Sequence, residues 1–305
     1  MKINNTTKLL GVLVVLVLVY LAINFTGQKD RSKSYRDILV EIDTAKVTQI
    51  EIIAPDETTM VKKSGKNSWN VETSVGQKPA TSSSVKNLFN TLLDIKPSRL
   101  VARGESKWND YSVDTTGTRV KIIEGKKTTL DLVVGRFGVE GQRRYLTHVR
   151  LFEDKDVYAA NDFMGISMAS SSDDFRNGDL LRLKKDSLTS IAFNYDQSAF
   201  TLLKNGDIWT STAFEADSAA VAKYINGLGF VTSKKFAVEV SSDISPIASV
   251  TYTFSNADDI TIKAFRSEND NWILKSSINL DETFIDGNAE KKIFVTDQEL
   301  IGSES

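Results

Sequence analysis

A ribbon that occurs twice sets the tightest limit on how this chain folds. Arg119–Arg136 reads RVKIIEGKKTTLDLVVGR and Ser249–Arg266 reads SVTYTFSNADDITIKAFR. The two align without a gap. Val120/Val250 and Arg136/Arg266 are identical, and apolar positions coincide at Ile122/Tyr252, Leu130/Ile260, Leu132/Ile262 and Val134/Ala264. Each copy is an alternating run, a polar turn and a second alternating run. Successive strand side chains point to opposite faces, so this period of two predicts a half-buried β-hairpin.

The signals around the ribbon repeat as well. Val47–Ile53 alternates, Thr58–Lys63 continues, and Ser68–Val71 returns with Trp69. Later, Leu188–Phe193 and Phe200–Leu203 are followed by the hairpin signal Asn205-Gly206 and by Ile208–Thr210 with Trp209. Both tryptophans read as core packing between sheet and helix. A helix follows in each copy. In the first, Pro79 and Ser82–Ser84 give the start, Val85, Leu88, Phe89, Leu92 and Leu93 the stripe, and Pro97 the end. In the second, Asp217 is the N-cap, Ala220, Val221, Tyr224, Ile225 and Leu228 the stripe, and Gly229 the stop. Arg99–Val101 and Phe236–Val238 lead into the two ribbons. Arg144–Leu151, Asp156–Ala159, Asn271–Lys275 and Lys292–Val295 read as strands, whereas Phe163–Leu181 reads as a short helix and loops.

Ahead of the repeats, Leu9–Ile23 is an unbroken apolar run extended by Asn24 and Phe25. Seventeen helical residues span about 26 Å, close to a hydrocarbon core of about 30 Å. The rival reading is a cleaved signal peptide: Lys2 and Lys8 fit its basic start, but the run is long and Ala22-Ile23-Asn24 is a poor cleavage site. Lys29, Arg31, Lys33 and Arg36 on the far side would hold the body in the cytoplasm under a strict positive-inside rule. A short tail before a single span favours the opposite orientation, with a periplasmic body on the inner (cytoplasmic) membrane. Tyr35, Ile38, Leu39 and Ile42 have helical spacing and predict a short amphipathic helix.

The expected fold class is therefore α+β: two repeated units, each a mostly antiparallel sheet packed by a helix, behind one N-terminal transmembrane helix. The boundaries are a tail over 1–8, the anchor over 9–25, a connector with the short helix over 26–45, repeat 1 over 46–162, a linker over 163–186, repeat 2 over 187–298 and a tail over 299–305.

Composition narrows the chemistry. With no cysteine among 305 residues, disulfides, thiolate metal sites, cysteine nucleophiles and an acylated-cysteine anchor are excluded. His148 is the single imidazole, in an alternating strand beside Arg143, Arg144 and Arg150, and reads as a surface or cross-strand residue. A net charge of −2 gives no general attraction for nucleic acid. Asp173-Asp174 and Asp258-Asp259 lack the spacing of a calcium loop, and Gly135-Arg136-Phe137-Gly138 lacks the lysine and hydroxyl residue of a phosphate loop. No catalytic, cofactor-binding or metal residues are expected. The candidate contact surface is the basic cluster Arg136, Arg143, Arg144 and Arg150. Its other reading is a solvated sheet edge whose charge discourages edge pairing.

Trp108-Asn109-Asp110-Tyr111-Ser112-Val113, Gly117-Thr118-Arg119-Val120, Gly135-Arg136-Phe137, Val149-Arg150-Leu151 and Val157-Tyr158-Ala159 together resemble a bacterial family, domain of unknown function 4340. The tryptophan that closes the early hairpin in both copies adds to the likeness, which covers the chain from about Asp43 onward and includes the N-terminal span. Two departures stand out. Ser112 occupies a position where the family usually has glycine, and the second copy has Asp243-Ile244-Ser245-Pro246 in place of the tryptophan-to-valine motif. The resemblance implies one N-terminal anchor helix, an internal duplication and association with gliding-type ABC transporter components. The expected function is a membrane-anchored extracytoplasmic accessory that acts by protein–protein contact. The alternative is a binding module for a glycan, lipid or peptide held between the repeats. Hydrolysis is the least favoured reading.

Overall fold

The structure, a computed structural model, describes residues 36–141, 144–237, 244–267 and 269–301, together with Leu13. The rest of the apolar run Leu9–Phe25 lies outside the described residues. Among the described residues no helix is long and apolar enough to cross a membrane.

In chain order the first half holds β1 (Val47–Ile53), β2 (Thr58–Lys63), β3 (Trp69–Thr73), β4 (Gly76–Ala80), α1 (Ser82–Leu93), β5 (Pro97–Arg103), β6 (Thr118–Glu124), β7 (Lys127–Glu140), β8 (Arg144–Leu151) and β9 (Asp156–Asn161). The second half holds α2 (Ser172–Phe175), β10 (Asp179–Arg182), β11 (Leu188–Tyr195), β12 (Ala199–Asn205), β13 (Ile208–Ser211), α3 (Ser218–Gly227), β14 (Phe230–Thr232), β15 (Ala248–Phe254), β16 (Ile260–Arg266), β17 (Trp272–Ser276), β18 (Asn279–Phe284) and α4 (Gly287–Ile293). The chain divides into two compact units, Met1–Thr58 with Asn87–Met168, and Thr59–Lys86 with Ala169–Ser305. The division falls inside α1.

In the first unit the strands pair antiparallel in the order β1-β6-β7-β8-β9-β5. In the second they run β13-β12-β11-β15-β16-β17-β18, beside a small β10-β14 ladder. The β2-β3-β4 meander also belongs to the second unit: Ala80 bridges Arg176, and the Thr81 amide donates to the Phe175 carbonyl at 2.7 Å.

Both ribbons are hairpins, and their registers coincide. Val120 faces Leu132 and Ile122 faces Leu130 in β6-β7; Val250 faces Ile262 and Tyr252 faces Ile260 in β15-β16. The preceding strands correspond too, with Ile50 opposite Ile122 and Ile52 opposite Val120 in one unit, and Ile191 opposite Tyr252 and Phe193 opposite Val250 in the other. These apolar residues are all buried, because one sheet face carries each unit's core. The turns differ. The first ribbon shifts register after Ile122 and closes through Gly125, whose φ of 63° suits a residue without Cβ. The second ends its pairing at Tyr252–Ile260 and winds through a loop in which Asp259 accepts from the Thr253 hydroxyl at 3.2 Å.

The helical stripe of α1 is buried at Val85, Leu88, Phe89 and Leu92, while Leu93 is exposed. Asp217 caps α3 by accepting from the Ala219 and Ala220 amides at 2.6 and 3.0 Å. Trp69 and Trp209 are both buried.

Two expectations are corrected. Arg36–Ile42 contains no helix. Adjacent Leu39 and Val40 are both buried while Ile38 is 62% exposed, which is incompatible with a helical stripe on Ile38 and Ile42. Ile38, Val40 and Ile42 are β-branched and favour extended backbone. Lys292–Val295 is not a strand either. Asp286 caps the Asn288 amide at 3.0 Å, and Ala289 and Ile293, one turn apart, are buried as the inner face of α4. The strand that ends the sheet on the β17 side is β18 instead.

Candidate functional site

The motif residues of the first unit converge on one arginine. Arg150, on β8, is 2% exposed. Its Nε and Nη2 both donate to the Val113 carbonyl, at 3.0 and 2.9 Å. Its Nη1 donates to the carbonyls of Leu151, Phe152 and Asp154 at 3.2, 2.7 and 3.1 Å. The guanidinium lies over the Trp108 ring, 3.7 Å from its centroid. Trp108 in turn donates from Nε1 to the Lys155 carbonyl at 3.3 Å. Burial pulls the Arg150 guanidinium below its ordinary value. A planar fork of donors reaches four carbonyls at once, that of buried Val113 with two hydrogen bonds.

The loop that Arg150 clamps is built from two short 3-10 turns, Glu105–Lys107 and Asn109–Tyr111. Ser112 ends the second turn in the left-handed region, at φ 51° and ψ 39°. An L side chain at these angles costs about 1–2 kcal/mol, whereas glycine adopts them freely. Val113 then drops into a small core with Val133 and Val157. Gly117 and Gly135 allow that approach. A Cβ on Gly135 would meet the Tyr111 carbonyl, would stand 2.6 Å from Val113 Cγ1 and would lie 2.8 Å from the Ser112 carbonyl. A Cβ on Gly117 would meet the Ser112 carbonyl. The spaced glycines of the motif thus record how closely the loop lies on β6 and β7.

His148 is half-buried on β8. Its Nδ1 donates to the Arg136 carbonyl at 2.9 Å, and its ring lies 4.6 Å from that of Tyr111. Burial, with Arg136 and Arg99 nearby, holds the imidazole below its ordinary value.

The four candidate arginines therefore separate. Arg150 is a correction: it is an interior clamp, not a surface contact, because its donors are taken by backbone carbonyls. Arg143 lies outside the described residues. Arg136 and Arg144 are exposed, on either strand of the β7-β8 hairpin. Charge alone could not separate them, since the four arginines read alike in the sequence.

The same hairpin carries apolar surface that the sequence reading missed. Phe137 pairs with Thr147 and Val139 with Tyr145, so all four side chains share one face. Thr147 is buried under the 162–167 segment: its hydroxyl donates to the Phe163 carbonyl at 2.6 Å, and the Gly165 amide donates to that hydroxyl at 3.0 Å. Further along the face Val139 and Tyr145 are exposed, and so are Met164 and Ile166 on the neighbouring segment. Phe137 stacks with Tyr145 at 5.9 Å. The available signal was the length of the Phe137–Tyr145 stretch, where alternation runs beyond the ribbon. Among the described residues no group of three or more His, Asp or Glu is placed to hold a metal ion.

Antiparallel α+β units with an arginine-clamped loop define the class. The sequence profile of the family described as Domain of unknown function (DUF4340) matches residues 73–257, and the chain belongs to that family. Comparison with curated proteins and with solved structures returned no match.

Proposed function

We propose that this chain is a membrane-anchored extracytoplasmic accessory protein, non-enzymatic, that acts by protein–protein contact in a gliding-type ABC transport or envelope complex. The supporting observation is the outer part of the β7-β8 hairpin, where Val139 and Tyr145 stand exposed as cross-strand partners with Arg144 beside them. Clustered aromatic, aliphatic and arginine side chains are the usual composition of a protein contact. Arg150, Gly117 and Gly135 support the reading indirectly. They fix the loop and strands from which the hairpin extends, and a preorganised surface loses less entropy on binding. An anchor at Leu9–Phe25 would confine the body near a membrane partner and raise its effective concentration.

A photo-crosslinking residue placed at Arg144 or Val139 in cells tests this. Capture of transporter or envelope subunits is the expected result; recovery of no envelope protein would overturn the reading. A reporter fused after Ser305 and active only outside the cytoplasm tests the orientation separately.

A further inference from the structure

The outer part of β7 is an open strand edge. Its pairing with β6 ends at Thr118 and Val134, whereas β7 runs on to Glu140 beside β8. Beyond Val134 no other strand pairs with that side of β7 among the described residues. The direction of the free backbone groups follows from the register. The Asp162 amide donates to the Tyr145 carbonyl at 2.9 Å, so Tyr145 turns its main-chain groups toward the β9 side. Tyr145 lies opposite Val139. In an antiparallel ladder, directly opposed residues either bond each other or both turn away, and the two kinds of pair alternate. Val139 and Phe137 therefore point their amides and carbonyls out of the open edge. The Arg136 carbonyl agrees with this phase: it lies on the β8 side, where His148 Nδ1 donates to it at 2.9 Å.

The residues along this edge mirror themselves about Gly138. Their order is Arg136, Phe137, Gly138, Val139, Glu140. Consider the edge laid antiparallel against that of a second copy, with Gly138 on the two-fold axis. Arg136 of each copy then falls opposite Glu140 of the other, and Phe137 falls opposite Val139. The same register makes Phe137 and Val139 the hydrogen-bonded pairs, each exchanging its amide and carbonyl bonds. Directly opposed side chains share a face, so arginine meets carboxylate on one face and ring meets valine on the other. Arg136, Val139 and Glu140 are exposed and free to be covered. Glu140 already accepts from Arg99 at 3.1 Å through Oε2, which leaves Oε1 for the arginine of the second copy. Arg144, opposite Glu140 on β8, adds positive charge to this face, so Glu140 is the group that lets the arginines of the two copies approach. An edge of one sign resists pairing, whereas mirrored signs accept it in a single register.

We propose that the chain forms a two-fold dimer through Arg136–Glu140, the open β7 edges of two copies joining as neighbouring strands. The dimer does not depend on the partner contact proposed above: main-chain groups at the edge make the join, and Tyr145 stays on the open face. Failure to capture a transporter subunit would leave it standing, because it is read from self-association.

Sedimentation equilibrium of the full chain in density-matched neutral detergent tests the proposal. The mass of the parent chain is expected to rise with concentration to that of a dimer. R136E and E140R each set like charges opposite one another and are each expected to weaken dimerisation about tenfold. An equimolar mixture of the two variants is expected to recover dimers, since both cross-strand pairs are then opposite in sign. Disulfide trapping is the second measurement. The chain has no cysteine, so the thiol of Gly138→Cys has only its counterpart to pair with. Opposed Cα atoms at a non-hydrogen-bonded pair lie about 4.5 Å apart, within disulfide reach. A Cβ at Gly138 meets Leu146 Cδ1 at an ordinary 3.6 Å. Mild oxidation is expected to link Gly138→Cys into dimers much faster than I208C, at an exposed position in the second unit. Single charge variants as dimeric as the parent, a mixture no more dimeric than its components, or equal linking of the two cysteine variants would overturn the proposal. A parent chain that is monomeric at every concentration would also overturn it and leave the edge to a strand of another protein.

Discussion

Arg150 and Val113 are joined by two hydrogen bonds to one carbonyl oxygen, Nε at 3.0 Å and Nη2 at 2.9 Å. The residues are far apart in sequence, and their pairing ties the β8 strand to the loop over β6 and β7. Arg150→Lys keeps the charge but loses the fork. It is expected to cost roughly 2–4 kcal/mol, because the buried Val113 carbonyl loses both donors of the fork and the packing on Trp108 is lost. Chemical denaturation of the two forms checks this, and a difference below about 0.5 kcal/mol would count against the clamp.

Ser112 and Gly135 make an opposed pair of tests on the same loop. Ser112→Gly relieves a left-handed side chain and is expected to stabilise by about 0.5–1 kcal/mol, the strain relief exceeding the added freedom of the unfolded chain. Gly135→Ala forces a Cβ against the Tyr111 and Ser112 carbonyls and is expected to destabilise by about 1–3 kcal/mol. Thermal midpoints moving in the same direction would contradict the loop geometry.

His148 gives the fold a pH dependence of known sign. Its folded value lies below the ordinary value of 6.5, chiefly because of burial. The unfolded chain therefore takes up its proton first as pH falls. The contribution of this residue is fully present above 6.5 and is lost as pH falls from there through the folded value. Carboxylates held low by hydrogen bonds, such as Asp114, act in the same direction but below 3.8. The difference in unfolding free energy between pH 7.5 and 5.5 should shrink in His148→Gln; an unchanged difference would remove His148 as its source.

In the second unit, Arg176 and Glu282 are a nearly fully buried ion pair, 7% and 1% exposed at the side chain. Glu282→Gln leaves the guanidinium with Asp173 as its remaining carboxylate and is expected to cost about 3–5 kcal/mol. Replacing both by Met and Leu should cost less than the single change. Urea unfolding of these two variants decides, and a double variant that loses as much as Glu282→Gln or more would be inconsistent with a coupled pair.

Val139 and Tyr145 are exposed, so V139S/Y145S should leave stability within about 0.5 kcal/mol of the parent. The same double change should abolish crosslinked partners captured from Arg144. Capture at undiminished yield would place the contact elsewhere.

Much of this was legible in one dimension. The alternation at Val120, Ile122, Leu130 and Leu132 implied a hairpin with one buried face, and its echo at Val250, Tyr252, Ile260 and Ile262 implied a second with the same register. Both are local consequences of side-chain period and of which residues water excludes. The aspartate cap at Asp217 was readable for the same reason, since it acts within three residues. Lys292–Val295 was misread because a short apolar run fits either period, and the capping carboxylate of Asp286 decided for the helix. Arg150 was misread because an arginine looks the same whether it faces water or four carbonyls brought to it from residues 113, 151, 152 and 154.

The sequence by itself determined the strand periods, the duplicated hairpin and the family. The tertiary structure decided which charges are spent and which remain. It grouped Thr59–Lys86 with the C-terminal half, committed Arg150 to backbone carbonyls, and buried Arg176 against Glu282 while Arg136 and Arg144 stayed exposed. The physical reason is that periodicity depends on near neighbours, whereas the partner of a charge is set by residues distant in sequence that only the folded chain brings within hydrogen-bond reach.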